Sequence, residues 1–364
     1  MEAEMTTLLG DCFSSSREKG YEGLPLLSVT LNDGLVTRES LERKSDTNLA
    51  ADEHLLVREG YIAYNMMRAW QGALGRADRD GLVSPAYVAL KPKKNINSRY
   101  AEYLFKTPRL IYSFWAYSYG LTEDRLRLYF KDFARIPARI VSLPEQKKIA
   151  EILSTWDEAI AANEDLVANS RQRKKALMQK LLTGGTRLPG FEGEWKKCSI
   201  GDLLKIGSGK DYKHLGSGNI PVHGTGGYML SVNDYLYDGD SVCIGRKGTI
   251  DNPFMLHGKF WTVDTLFYTH SFNCSDPHYI YHLFCSINWK AHNEASGVPS
   301  LSKTTIEKIK VAVPSLDEQQ AIARVLNTAR DEIEALEQRI NNIKIQKKAL
   351  MQQLLTGKRR VTLS

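Results

Sequence analysis

The chain has 364 residues, a formal net charge of +7 and 42% hydrophobic residues, so it is long enough for two domains with separate cores and carries only a mild basic excess. Its five cysteines include no Cys-x-x-Cys pair, which argues against a zinc site and a disulfide framework and favours a reducing compartment. No signal peptide opens the chain and no apolar run reaches membrane length, so we expect a cytoplasmic protein without a membrane segment.

Residues 1–141 have the composition of a mixed α/β domain. Strand-like runs rich in aromatic residues, such as EGYIAYNMM (59–67) and SPAYVALK (84–91), are separated by Gly, Asn and Asp. The segment closes with a short helix signal and then a strand. We therefore predict a globular α/β domain over residues 1–141.

Residues 142–184 carry the signals of one long helix. Ser142 and Glu145 fit a capping box at its start, and Gly184 suits a left-handed cap at its end. Between them, apolar positions alternate in steps of three and four, as in a coiled-coil seam. The polar residues Asn163, Ser170 and Lys174 interrupt that seam. The predicted pairing residues of this helix are Ile149, Leu153, Trp156, Ile160, Leu177 and Leu181.

Residues 185–314 resemble the first domain in composition and order. They contain aromatic strand-like runs, such as DYLYDGDSVCIG (234–245) and WTVDTLFYTH (261–270), and again end in a short helix signal and a strand. SIGD (199–202) aligns with LLGD (8–11), but the lead-in LPGFEGEW before it has no counterpart near the N-terminus. We predict a second, related but not identical, α/β domain.

The last segment, residues 315–364, repeats the central helix. The sequence of residues 142–184 returns without a gap at 315–357, with about half of the aligned positions identical. Its predicted pairing residues are Ile322, Leu326, Ile333, Ile340, Leu350 and Leu354. One such helix alone could be a solvated rod with a narrow buried stripe. Two matched helices joined through a domain-sized insertion favour an antiparallel coiled coil, and the fold class is then two α/β (α+β) domains alternating with two long helices in a pseudo-twofold arrangement.

Motifs for catalysis or metal binding are not found in the sequence. GSGK (207–210) does not complete a phosphate-binding loop, and DNPF (251–254) lacks the second proline of the loop of amino-group DNA methyltransferases. His223, His257 and His282 do not have the spacing of metal ligands. We therefore expect no catalytic residues and no metal site.

The long segments nevertheless carry a family resemblance. LPEQKKIAEIL, KKALMQKLLTG and RLPGFEGEW, followed by LDEQQAIARVL and KKALMQQLLTG, strongly resemble the specificity (S) subunit of type I restriction–modification enzymes over essentially the whole chain. The resemblance implies that each domain is a target-recognition domain that reads one half of a split, asymmetric site in double-stranded DNA. The helices would set the gap between the half-sites and dock two modification subunits.

The resemblance also implies that the chain is a non-catalytic subunit and binds no cofactor itself. The two modification subunits would bring S-adenosylmethionine and methylate adenine, and two motor-nuclease restriction subunits would complete the restriction complex. Two other classes of function stay open: a coiled-coil adaptor whose heads bind proteins rather than DNA, and a self-contained methyltransferase, which the missing cofactor loop disfavours.

Candidate DNA contacts follow from side-chain chemistry. Forked and amide side chains read base edges, whereas Lys, Arg and small donors hold phosphates. The loops that offer such groups supply the candidates Asn65, Arg68, Gln71, Arg76, Lys91, Lys93 and Lys94 in the first domain, and Lys210, Tyr212, Lys213, Arg246, Lys247, Thr249, Ser300, Ser302 and Lys303 in the second. The alternative for each residue is an ordinary solvated surface position. Ser302 and Lys303 precede a predicted helix, whose N-terminus would suit a phosphate.

Overall fold

The computed structural model describes residues 5–41, 49–122 and 125–362. Its internal contacts divide the chain into two units. The first unit comprises Met1–Ala162 and Ile340–Ser364, and the second unit comprises Asn163–Arg339. Each unit holds one globular head, the beginning or end of each of two long helices, and a hydrophobic core that joins head and helices.

The first unit contains, in chain order, β1 (Met5–Leu8), α1 (Leu9–Cys12), β2 (Phe13–Ser16), β3 (Leu27–Val29), β4 (Leu35–Thr37), β5 (Leu55–Val57), β6 (Ile62–Asn65), β7 (Leu74–Arg76), β8 (Gly81–Val83), β9 (Tyr87–Pro92), α2 (Ser98–Phe105), α3 (Pro108–Ala116), α4 (Phe130–Phe133), β10 (Pro137–Ile140) and the first half of α5 (Leu143–Leu181). Its main sheet is antiparallel, with strand order β2-β9-β6-β7. Smaller pairs are β1-β10, β3-β4 and β5-β8.

The second unit contains the second half of α5 and then β11 (Lys196–Ser199), α6 (Ile200–Leu203), β12 (Lys205–Ser208), β13 (Ser217–Gly224), β14 (Gly227–Val232), β15 (Tyr237–Asp238), β16 (Ser241–Gly245), β17 (Phe254–Leu256), β18 (Lys259–Thr262), β19 (Leu266–His270), α7 (Pro277–Ser286), α8 (Lys303–Lys308), β20 (Lys310–Val313) and the first half of α9 (Leu316–Leu354). Its main sheet has the order β12-β19-β16-β17, and a further sheet has the order β14-β13-β18-β15.

The two heads share a frame and differ in what is added to it. Strands β2, β9, β6 and β7 correspond one to one to β12, β19, β16 and β17, and the pair β1-β10 corresponds to β11-β20. The second head adds the sheet that contains the parallel pair β13-β18, where the first head has the small pairs β3-β4 and β5-β8. The prediction of two related but non-identical mixed α/β heads is therefore confirmed.

Helices α5 and α9 are each 39 residues long and pack against each other as an antiparallel pair. In the first unit, Asp157 of α5 forms an ion pair with Lys347 of α9. In the second unit, Ser170 donates a hydrogen bond of 3.2 Å to Glu332. Ser170 and Lys347, two polar residues on the seam, thus bond to side chains of the other helix. Among the predicted pairing residues, those that are buried are Ile149, Leu153, Leu181, Ile322, Leu326, Ile333 and Leu354, and those that are partly buried are Trp156, Ile160, Leu177, Ile340 and Leu350.

A buried glutamine at the start of each long helix fastens the head to it. Gln146 accepts a hydrogen bond from Asn97 N at 2.8 Å and donates to the carbonyls of Val141 and Asn95 at 2.9 and 3.1 Å. Gln319 makes the equivalent set in the second unit, with Asp276 N, Pro314 O and Cys274 O at 3.0, 3.0 and 3.2 Å. All three partners of each glutamine are main-chain groups. The head is therefore held through its backbone, partly at Asn97 or Asp276, the residue that caps α2 or α7.

The preceding glutamate receives an arginine from just beyond the end of the other long helix. Glu145 accepts two bonds of 2.6 Å from Arg360, and Glu318 accepts two of 2.6 Å from Arg187. Both carboxylates are buried, so each needs a paired cation to offset its lost hydration. The two arginines occupy equivalent places, three residues after the repeated glycines Gly184 and Gly357, and they extend the internal repeat beyond the segment that sequence comparison reveals.

One buried position distinguishes the two units chemically. His282 of α7 is fully buried, and its Nε2 lies 2.9 Å from Asn327 Oδ1 of α9. The equivalent position in α2 holds Tyr103, whose hydroxyl donates to Asp157 at 2.5 Å. Burial lowers the pKa of His282 to about 4, although the hydrogen bond with Asn327 raises it in part. The second unit therefore contains a neutral imidazole where the first unit contains a phenol.

Replacing Gln319 by leucine is expected to lower the free energy of unfolding by about 2–4 kcal/mol, because a buried main-chain N–H and two carbonyls lose their partner. Urea-induced unfolding of the full-length chain measures this. The matched control is Gln172→Leu at an exposed position of α5, which should change stability by less than about 0.5 kcal/mol. Equal effects of the two substitutions would contradict the assigned role.

The buried histidine predicts an acid-sensitive second unit. Its pKa is lower in the folded chain than its ordinary value of about 6.5, so the unfolded chain binds the proton first and stability falls as pH decreases from about 6.5 to about 4. The loss amounts to about 3 kcal/mol and levels off below that range. His282→Tyr, which introduces the first unit's residue, should flatten urea-unfolding stability over this range. The exposed His214→Tyr control should retain the wild-type slope, and identical slopes in all three proteins would refute the assignment.

Candidate nucleic-acid interface

The loops that follow the third strand of each main sheet occupy equivalent places in the two heads. In the first head, Leu128 N donates to Met66 O at 2.9 Å, and in the second head, Leu301 N donates to Arg246 O at 2.9 Å. These bonds tie the loop after β6 or β16 to the segment that enters α4 or α8. The loops NMMRAWQ and RKGT, chosen from the sequence for their side chains, are therefore counterparts in space.

In the second head this place is a cavity of about 330 Å³ with a basic lining. It brings together five of the candidate residues from two separate loops, namely Arg246, Lys247, Ser300, Ser302 and Lys303. The guanidinium of Arg246 lies 6.0 Å from the ring centre of Phe267. Its Nη1 donates a long bond of 3.4 Å to the carbonyl of Asp264, and the exposed guanidinium has further N–H donors that suit a phosphate or a base edge. The arrangement suits recognition of an anionic, planar-edged ligand such as nucleic acid.

Glu294 occupies the start of α8 within the same cavity. It accepts hydrogen bonds from Ser302 Oγ at 2.8 Å and from Thr305 Oγ1, and Ser302 in turn caps the helix by accepting from Thr305 N. The hydrogen bonds from Thr305 and Ser302 hold the pKa of this carboxyl below its usual range. The helix start that the sequence offered for a phosphate is therefore filled by a carboxylate of the chain itself, which leaves Arg246, Lys247 and Lys303 as the cationic groups of the cavity.

The loop after β12 carries three further candidates at the same end of the sheet. Lys210 and Lys213 are exposed, and the carbonyl of Lys210 accepts from Trp261 Nε1 at 2.9 Å. Tyr212 is half-buried and packs against the small core around Trp261. Thr249 is exposed in the loop after β16. Lys210 and Lys213 thus have solvent-facing charges, whereas Tyr212 supports the loop.

In the first head, the equivalent cavity has a volume of about 690 Å³ and a different lining. Its residues include Ser16, Arg17, Met66, Tyr87, Val88, Tyr129, Phe130 and Lys131. Arg68 and Gln71 are exposed in the neighbouring loop, while Asn65 Oδ1 accepts a bond of 3.0 Å from Met67 N. Arg17 and Lys131 were not among the sequence candidates. Aligning Leu128 with Leu301 indicates Lys131 as a candidate. In that alignment, Tyr129–Lys131 correspond to the segment that begins at Ser302 in the second head.

The other first-head candidates lie at the opposite end of the main sheet. Arg76 pairs across the sheet with Ile62, the first residue of β6, whereas Asn65 is its last. Arg76 Nε donates to Ser98 Oγ at 3.1 Å, and Lys93 Nζ donates to the carbonyl of Gly10 at 2.7 Å. Lys91 and Lys94 are exposed beside Lys93. The structure therefore separates the set Arg76, Lys91, Lys93 and Lys94 from Asn65, Arg68 and Gln71.

Residues 5–41, 49–122 and 125–362 contain neither a cluster of candidate metal ligands nor a membrane-crossing helix. No group of three or more His, Cys, Asp or Glu side chains there is arranged to hold a metal ion. No helix in those ranges combines the length and the apolar character that crossing a membrane requires.

Known proteins are similar to this chain in sequence. A family model described as the type I restriction modification DNA specificity domain matches residues 6–168 and again residues 192–345. The type I restriction enzyme MjaVIII specificity subunit of Methanocaldococcus jannaschii is 25% identical and covers 94% of this chain and 87% of its own length. The EcoprrI specificity subunit of Escherichia coli is 24% identical over 37% of this chain and 36% of its own length.

Solved structures show the same fold. The S subunit of a type I restriction–modification system from M. genitalium matches with a TM-score of 0.62 at 17% identity, and the match covers 96% of this chain and 95% of that one. A chain from a structural study of complex assembly and conformational transition of the type I R-M system matches with a TM-score of 0.59 at 13% identity. This match covers 96% of this chain and 97% of that one. Because the specificity-domain model matches residues 6–168 and 192–345, which are most of this chain, the chain belongs to the family of type I restriction–modification DNA specificity subunits.

Proposed function

We propose that this chain selects the DNA site of a type I restriction–modification complex, with each head reading one half of a split, asymmetric sequence in double-stranded DNA. The observation that carries the proposal is the pair of cavities at equivalent places in two heads with different linings. Equivalent places present each head to DNA in the same manner, while different linings would select different bases. The half-sites should therefore differ in sequence.

Side-chain chemistry indicates which residues of each interface would read bases and which would contact phosphates. Contacts to phosphates position a protein on DNA, whereas forked donors at the base edges carry most of the sequence information. In the second head, Arg246 suits a guanine edge because its guanidinium can donate two parallel bonds, while Lys247, Lys303, Lys210 and Lys213 suit phosphates. In the first head, Arg68 and Gln71 take the reading role, and Arg17 and Lys131 join them as phosphate contacts.

The long helices act as a spacer between the two reading heads. A helix of 39 residues is roughly 58 Å long, which corresponds to less than two turns of B-DNA at about 34 Å per turn. Since the heads occupy part of that length, the unread gap should be several base pairs. Exposed faces of the same helices dock two modification subunits, and two motor-nuclease subunits join them in the restriction complex.

In this proposal the chain itself performs no catalysis. S-adenosylmethionine binds the modification subunits, which methylate one adenine in each half-site, and the complex works in the cytoplasm. Relatives named as specificity subunits of type I restriction enzymes support this role. An adaptor that binds only proteins would give a stable complex without sequence-selective methylation.

The decisive experiment is to express this chain with its modification subunit in a host without DNA methylation and to map methylated adenines across the genome. One bipartite asymmetric motif, methylated on both strands, is expected. A stable complex that methylates no defined motif would overturn the proposal in favour of the adaptor.

Head-specific substitutions should relax one half-site at a time. Arg246→Ala is expected to make one base of one half-site degenerate, because one base contact carries about 1–3 kcal/mol of discrimination, and to leave the other half-site intact. Gln71→Ala should make one base of the other half-site degenerate and leave the half-site read by the second head intact. Methylation mapping of both variants measures this. Loss of sequence preference in both halves from either substitution would contradict separate reading heads.

Charge reversal should weaken binding without altering sequence preference. With Lys247→Glu and Lys303→Glu together, the plot of log affinity against log salt concentration for the purified complex should become less steep. The magnitude of its negative slope should decrease by about two, because each lost phosphate contact contributes about one. The matched control is Lys205→Glu, which makes the same exchange on an exposed residue at the opposite end of β12 from the cavity. An unchanged slope in the double variant would exclude this cavity from the interface.

A further inference from the structure

The two equivalent cavities offer different chemistry to the edge of a base. In the second head, the lining includes the guanidinium of Arg246 and the carboxylate of Glu294. In the first head, the cavity has an apolar wall, whose residues are Leu55, Met66, Pro85, Tyr87, Val88 and Phe130. Among the described residues that line this cavity, none carries a carboxylate or an amide side chain. The first cavity therefore offers apolar contact where the second offers charged and forked groups.

The apolar wall is fixed by the main sheet and by the core beneath it. Tyr87 begins β9 and pairs with the last residue of β6. The carbonyl of Met66 accepts a hydrogen bond of 2.9 Å from Leu128 N. The ring of Phe130 stacks on the buried ring of Phe133, with 6.2 Å between their centres. Because these contacts exist in the chain alone, a ligand that fits the wall costs little free energy of reordering.

The chemistry of the wall can be compared with the pattern that each base presents in the major groove. Guanine presents two acceptors that suit a guanidinium, cytosine presents an amino group that suits a carboxylate, and adenine presents a donor and an acceptor that suit an amide. Thymine presents one carbonyl and a C5-methyl group, which suits an apolar side chain. The wall matches thymine best, because its apolar groups would cover the methyl while the hydroxyl of Ser15 or Ser16 can donate to the carbonyl.

We propose that the first head reads a thymine through its C5-methyl group, which enters this cavity and contacts Met66, Tyr87 and Phe130. The inference rests on the proposed function, in which the cavity faces DNA, and it adds the chemical group that this head recognises. Arg68 and Gln71 read neighbouring bases from the adjacent loop. A methyl group of thymine is thus a specificity element of one half-site, read by apolar contact rather than by forked hydrogen bonds.

The test removes one methyl group at a time from the DNA. Once methylation mapping has defined the motif, each thymine on either strand is replaced in turn by deoxyuridine, which keeps the base pair and lacks only the C5-methyl. Fluorescence anisotropy measures how tightly the complex of the full-length chain with its modification subunit binds each duplex. One replacement in the half-site read by the first head should weaken binding about threefold to tenfold, as expected for the burial of one methyl group.

A pair of methionine variants links that thymine to the cavity. Met66→Ala removes a side chain that covers the methyl, so the penalty for deoxyuridine at that position should fall to less than about twofold. The matched control is Met67→Ala, which makes the same truncation at the next residue. Met67 is exposed and does not line the cavity, so this variant should retain the full penalty. Thermal melting of both variants verifies that the chain remains folded.

Two results would overturn this inference and leave the proposed function intact. One is a defined motif whose binding is insensitive to every deoxyuridine replacement in the half-site read by the first head. The other is a deoxyuridine penalty of equal size in the wild type and in Met66→Ala. The replacement series uses the wild-type chain, so its result does not depend on the folding of any variant. The absence of any defined motif would instead overturn the proposed function, and this inference with it.

Discussion

The structure depends on a buried Glu-Gln dipeptide at the start of each long helix. The glutamate accepts a bidentate arginine from beyond the end of the other helix, and the glutamine binds three main-chain groups of the adjacent head. A buried carboxylate is tolerated only with such a partner, so the helix start, the helix end and the head must assemble together. Glu145 with Arg360 and Glu318 with Arg187 make this junction once in each unit.

From these junctions, the remainder of each unit follows a common plan. The four-stranded sheet is oriented by its contacts with α2 or α7, and its far end presents the loop after the third strand together with the start of α4 or α8. The two heads differ there and in the additional sheets. Met66 in one head and Arg246 in the other occupy the same backbone position, so at this point the two linings differ by an apolar and a cationic side chain on a shared backbone frame.

Much of the fold was predictable from the sequence, because its strongest signals are periodic and local. The Ser-x-x-Glu sequences, the glycines after the helices and the heptad spacing define α5 and α9 within a few residues, and the repeated segment predicts their pairing. The expected return bond of each glutamate to the serine backbone was wrong, because Glu145 and Glu318 bind Arg360 and Arg187 instead. The arginines of the junctions were not recognised, since Arg187 and Arg360 sit in unlike local sequences and reveal their equivalence only through the glutamates they bind. Strand order in the heads was also beyond prediction, because long-range pairing leaves little trace in local patterns.

For the candidate interface, residue chemistry selected loops that the structure brings together in one cavity of the second head, but in the first head it selected residues from two separate surfaces. Lys93 and Arg76 have the charge of DNA contacts, yet they donate to Gly10 O and Ser98 Oγ at the other end of the sheet. Such assignments require the strand register, which the sequence does not specify. Conversely, Glu294 is distant in sequence from β16 and enters the cavity only because the loop before α8 folds back over it.

The attachment of the heads through main-chain atoms has an evolutionary consequence. Gln146 and Gln319 bind a backbone N–H and two carbonyls, which any residue other than proline can provide, so the side chains of a head are not constrained by its connection to the helices. A head with a foreign sequence could be inserted between the same junctions without altering them. New DNA specificities could then arise by exchanging whole modules between related genes, with the helical frame and everything that docks on it left unchanged.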